Sequence, residues 1–194
     1  MAVSSSAVTQ AGAGSDQLSL ASAVDLLIRN RPYPRSMTGA ALSLDALRQR
    51  VADDDGHLPN GRAERVDAAA WAAFLGELRH SGWHVRRGDD PSHDWPLTEA
   101  AAAAHDGLTL HVQASDTVRV NVFPSWGTDS IWFDFNIREM QRQQDADALM
   151  AFLRLLGRSA HRPVLLSYEG ADEMVFARYE PAQDALVWSD EADG

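Results

Sequence analysis

The chain contains no cysteine and no lysine. The first absence removes disulfides, thiolate zinc sites, iron–sulfur clusters and cysteine nucleophiles together. The second removes Schiff-base chemistry and the phosphate-gripping lysine of a P-loop. All 17 basic residues are therefore arginine, against 28 acidic ones, for a formal charge of −11 and a pI near 4.9. That balance argues against nucleic acid and anionic membrane surfaces as partners. Long apolar runs are also missing. The stretch Ala100 to Ala104 is short and bordered by Glu99 and His105, whereas a bilayer-spanning helix needs about 20 apolar residues. No Gly-x-Gly-x-x-Gly follows a strand pattern, and neither Ser125 nor Ser167 has the glycine frame of a nucleophile elbow. Met1 to Gln17 is rich in Ser, Ala and Gly, without the basic start or apolar run of a secretory signal. It is expected to be a disordered tail on a cytoplasmic protein.

What is present is a 194-residue chain with 45% hydrophobic residues, enough to bury a core without staples. Leu18, Leu20, Val24, Leu27 and Ile28 recur near helical spacing until Arg31-Pro32-Tyr33-Pro34. Ser43 as N-cap with Leu44, Leu47 and Val51 predicts a second helix, and the Asp53 to Gly61 stretch, with Pro59 and Asn60, reads as a turn-rich loop. A third helix starts near Asp67, carries Trp71, Phe74, Leu75 and Leu78, and stops at Ser81-Gly82. The period then changes from helical to alternating. Leu108, Leu110 and Val112, then Val118, Val120 and Val122, then Ile131, Phe133, Phe135 and Ile137 each mark one apolar strand face. Short connections favour an antiparallel meander. A helix over about Asp145 to Arg158, closed by Gly157 and Pro163, covers its apolar side, and strands at Val164 to Tyr168, Met174 to Tyr179 and Ala185 to Trp188 finish the chain. The fold class is α+β: a single domain over residues 18–194, mainly helical to residue 82, then a meander sheet covered by one helix, with a C-terminal β-hairpin.

The meander places His111, Arg119, Asn121, Asp134 and Asn136 opposite the helix, with Trp132 and Phe123 beside them. An Arg, a His and a carboxylate on adjacent strands can bind an anion or a basic side chain, or do acid–base work. They are equally what a solvated antiparallel face displays, with Arg119 and Asp134 as a cross-strand pair. His80 and His84 have the spacing of metal ligands on one helix turn, but Gly82 lies between them and no Glu follows His80. Asp53-Asp54-Asp55-Gly56 lacks the spacing of a calcium loop, which would put Val51 and Arg62 at ligand positions. Paired acids at Asp172-Glu173 fall in a turn between strands. No metal, cofactor or enzymatic chemistry is expected.

Six tryptophans stand in this acidic chain. Trp126, in Pro124-Ser125-Trp126-Gly127, reads as a hairpin tip, and Trp95 follows the acidic turn Asp89-Asp90-Pro91-Ser92-His93-Asp94. Exposed aromatics beside acids suit a basic protein partner. The C-terminal succession Leu149-Met150-Ala151-Phe152-Leu153-Arg154-Leu155-Leu156-Gly157, Arg162-Pro163-Val164-Leu165-Leu166-Ser167-Tyr168-Glu169-Gly170 and Phe176-Ala177-Arg178-Tyr179-Glu180-Pro181 resembles the small acidic immunity proteins that bacteria pair with secreted toxins. The order of elements from Asp67 to Tyr179 also resembles type III secretion chaperones, without their terminal helix. Both resemblances imply a non-enzymatic protein that occludes or escorts a protein partner. The expected contacts are Trp126, Trp132, Asp134, Asp89, Asp90 and Trp95. The alternative is a ligand-binding or catalytic face built on His111, Arg119, Asn121 and Asn136.

Overall fold

A computed structural model describes residues 42–51, 58–88, 108–124 and 129–189, all within the unit spanning residues 36–194. The expected tail, the expected helix after Leu18, and Asp89, Asp90, Trp95 and Trp126 lie outside the described residues. The described elements are helix α1 (Leu44–Arg50), strand β1 (Asn60–Glu64), helix α2 (Ala68–His80), strands β2 (His84–Arg87), β3 (Leu110–Gln113), β4 (Arg119–Phe123) and β5 (Ser130–Phe135), helix α3 (Gln143–Ala160), and strands β6 (Val164–Tyr168), β7 (Ala171–Glu180) and β8 (Ala185–Trp188). The strands form one eight-stranded sheet in the order β2-β3-β4-β5-β1-β6-β7-β8, with every neighbouring pair antiparallel. The fold is α+β.

The sequence patterns explain most of these elements. Ser43 Oγ accepts from Ala46 N and caps α1, and Asp67 Oδ1 accepts from Ala70 N and caps α2. Gly82, at φ +78°, lets the chain leave α2 in the left-handed region. The apolar faces of β3, β4 and β5 meet in register, Leu110 with Val122 and Val122 with Phe133. Phe152 of α3 packs edge-on against Phe133 at 5.0 Å and against Phe74 of α2 at 6.1 Å, so both helices share the core of the sheet's apolar face. α1 joins them through Gln143, whose side chain bonds Leu44 N and Leu42 O.

Two local expectations are corrected. The segment around Asn60 and Gly61 is not a loop but β1, hydrogen-bonded to β5 on one side and β6 on the other. Its sequence, Asn-Gly-Arg-Ala-Glu, has little intrinsic strand preference. Its place comes from packing: a Cβ on Gly61 would lie 2.0 Å from Phe133 Cζ, so only glycine lets that ring cross the strand. Gly157 does not close α3. The helix continues to Ala160 and ends at His161 in the left-handed region, φ 51°. Gly157 instead makes room for Tyr179, whose Cε1 would meet a Cβ at 2.7 Å.

Candidate functional site

With the apolar side of the sheet occupied by helices, the chemistry lies on the opposite face, which no described helix covers. Strand side chains alternate between faces, so register decides which polar residues meet. One row runs Arg86, His111, Asn121, Asp134, Asn60 and Ser167 across β2, β3, β4, β5, β1 and β6. The next row contains Phe123, Trp132, Arg62, Leu165 and Arg178.

The first row holds a directional chain of hydrogen bonds. Asn121 Nδ2 donates to Asp134 Oδ1 at 2.6 Å, and Asn121 Oδ1 lies 2.6 Å from His111 Nδ1. Because the amide gives its N–H to the carboxylate, its oxygen faces the ring and Nδ1 must be the donor. Nδ1 therefore carries a hydrogen, and Nε2 is the ring nitrogen turned away from Asn121. Gly88, at the end of β2, makes space for that nitrogen: a Cβ there would sit 2.8 Å from Nε2. Burial pushes the Asp134 carboxyl above its ordinary value, the Asn121 hydrogen bond opposes this, and the nearby Glu169 charge adds to the rise.

In the second row, Arg62 is only 8% exposed. Its Nε donates to Glu64 Oε1 at 2.6 Å, an Nη donates to Asp172 O at 2.7 Å, and its guanidinium lies 5.2 Å from the Trp132 ring centroid. Asp172 arrives here through an irregularity: Tyr168 pairs with Ala171 but Ser167 with Val175, so residues 172–174 are surplus on β7, and Asp172 among them reaches β1. Asn60 Nδ2 donates to Asp172 Oδ1 at 3.3 Å, and Leu58 N donates to Glu169 Oε2 at 2.7 Å. The centre of the face thus brings Glu64 and Asp172 to Arg62, with Asp134 and Glu169 nearby and within reach of each other's charge.

Of the residues expected at a site, His111, Asn121 and Asp134 are joined, and Trp132 lies in the adjoining row. Arg119 shares the face but stands opposite Gln113, and the direct partner of Asp134 is Asn121. Asn136 leaves the row to cap a turn: its Oδ1 accepts from Arg138 N at 3.0 Å and its Nδ2 donates to Glu139. His80 and His84 do not share a helix. His80 Nδ1 lies 2.7 Å from Gly76 O inside α2, whereas His84 is on β2. Asn60, Arg62, Glu64 and Arg86 were not legible as site residues. Their signal is the period-two spacing Asn60-x-Arg62-x-Glu64 and His84-x-Arg86, visible only once those segments are known to be strands.

No protein-family model matches the chain, and neither the curated proteins nor the solved structures give a match.

Proposed function

We propose that this is a non-enzymatic, acidic protein-binding protein, in its most specific form an immunity protein that neutralises a basic toxin by occlusion. The observation that supports this reading is the sheet face that no described helix covers, where Glu64 and Asp172 meet Arg62 beside Trp132, with Asp134 and Glu169 next to them. The Asp134 carboxylate, opposed by burial and by the Glu169 charge, favours a partner that supplies positive charge. The half-buried Trp132 offers the aromatic surface common at the centre of protein interfaces. The chain's charge of −11 draws a basic partner from a distance.

The test uses the full chain and a variant in which Glu64→Gln, Glu169→Gln and Asp172→Asn remove charge while keeping shape. The parent is expected to capture a basic protein at low salt, release it at high salt, and suppress that protein's toxicity on co-expression. The variant is expected to lose at least about tenfold in affinity, the scale of losing charged interface contacts. Unchanged capture, salt response and protection in the variant would overturn the electrostatic reading.

A further inference from the structure

The arginines on β2 and β4 lie beside the acidic centre, and the Arg119 charge is close enough to act on the Asp134 carboxyl. Arg86 lies directly opposite His111, and Arg119 lies opposite Gln113, two residues further along the same face. Both are exposed. Among the described residues neither makes an ion pair within 4.0 Å or a side-chain hydrogen bond, and Arg119 acts on Asp134 only through its charge. This is unusual in a chain with 28 acids against 17 basic residues, where an arginine has an excess of carboxylates to choose from. Between them stands His111, oriented through Asn121 by Asp134, with Nε2 unengaged beside Gly88.

We propose that this corner of the sheet, on β2, β3 and β4, is a binding site for a phosphoryl group, with Arg86 and Arg119 supplying charge and His111 Nε2 orienting one oxygen. Guanidinium groups match phosphoryl oxygens in geometry and keep their charge at any physiological pH. Donors from three strands suit a tetrahedral group with three terminal oxygens better than a planar carboxylate. Since Nδ1 already gives its hydrogen to Asn121, Nε2 can meet an anionic oxygen only through one further proton. That proton is carried by the imidazolium or by the phosphoryl hydroxyl, and the complex holds it in either case. The charged and titratable groups facing His111 are His84 and Arg86 from β2, Arg119 from β4 and Asp134 from β5, with Glu169 next to Asp134.

The experiment is a nuclear magnetic resonance titration of the full-length protein, following the His111 ring and using His80 and His161 as internal references. The probes are inorganic phosphate, sodium acetate and sodium chloride at matched ionic strength, and a phosphoserine peptide with its unphosphorylated twin. Phosphate is expected to shift the His111 resonances saturably, with acetate and chloride failing to do so. A paired Arg86→Gln and Arg119→Gln variant, both exposed and therefore fold-neutral, is expected to weaken binding at least about tenfold, as for lost charged hydrogen bonds. Tighter binding of the phosphopeptide than of free phosphate would identify a phosphorylated side chain as the source, and the reverse a small phosphate compound. Equal responses to phosphate and chloride would overturn the site, as would undiminished phosphate binding by the paired variant. Neither result depends on whether the acidic centre binds a protein.

Discussion

Two aspartates, Asp134 and Asp145, show how one residue type acquires opposite roles. Asp145 is buried at the start of α3, where it accepts from Thr117 Oγ1 at 2.5 Å and from the backbone N–H of Gln141 and Arg142. The Thr117 bond does most to hold its carboxyl down to about 2, against the cost of burial. A depressed value means that the charge stabilises the fold above the ordinary carboxylate range, and that this contribution is lost as pH falls through about 2. Asp145→Asn is therefore expected to lower the melting temperature by several degrees at neutral pH, with the gap closing in strong acid. Melting curves across pH check this, and a gap independent of pH would contradict it. Asp134 has the reverse sign. Its value is raised by burial, so its charge is a cost that is absent below the ordinary carboxylate range and appears as pH rises through the folded-state value. Asp134→Asn keeps an acceptor for Asn121 and is expected to melt no lower than the parent at pH 7, with any advantage vanishing at pH 3. A marked loss of stability at pH 7 would show that Asp134 serves the fold instead.

Among the elements, β1 and the β7–β8 hairpin are each fixed by contacts outside themselves. β1 fills the slot between β5 and β6 because Gly61 lies under the Phe133 ring. Gly61→Ala is expected to cost about 1–3 kcal/mol, the range of overpacked cores. Combining it with Phe133→Leu is expected to recover part of that loss. Urea unfolding of the two single variants and the double variant measures the coupling, and simple additivity would show that the ring and the glycine do not compete for space. The β7–β8 turn is tied to α3 at Asp184, which is in the left-handed region, φ 50°. Burial works against the Asp184 charge, but Arg154 at 2.8 Å and Tyr179 Oη at 2.9 Å outweigh it and hold its carboxyl low. Burial, followed by this carboxylate, pushes the Tyr179 hydroxyl up to about 12.

For the whole molecule, charge is separated across one sheet face as well as being negative in sum. Acids cluster on β5, β1 and the irregular part of β7, whereas Arg86, His111 and Arg119 hold the β2–β4 side. On the proposed function, a partner that matches this face is basic over its centre, and capture is expected to be salt-sensitive, since exposed charges are screened beyond about 10 Å at 0.1 M salt. Among the described residues no helix is long and apolar enough to cross a membrane.

Local physics made much of this legible in sequence. Alternating apolar residues announced β3, β4 and β5, Ser43 and Asp67 announced their helices, and Leu149, Phe152, Leu153 and Leu156 announced the buried face of α3. These signals are properties of a segment and its own period, so no partner is needed to read them. His111, Asn121 and Asp134 were placed on one face by the same alternation. Their joining into a hydrogen-bonded row, and the absence of a direct Arg119–Asp134 pairing, came from register, which depends on how strands meet. β1 was illegible because Asn60 and Gly61 carry turn-forming preferences, and only the space beneath Phe133 and two neighbouring strands with unpaired backbone groups make that stretch a central strand.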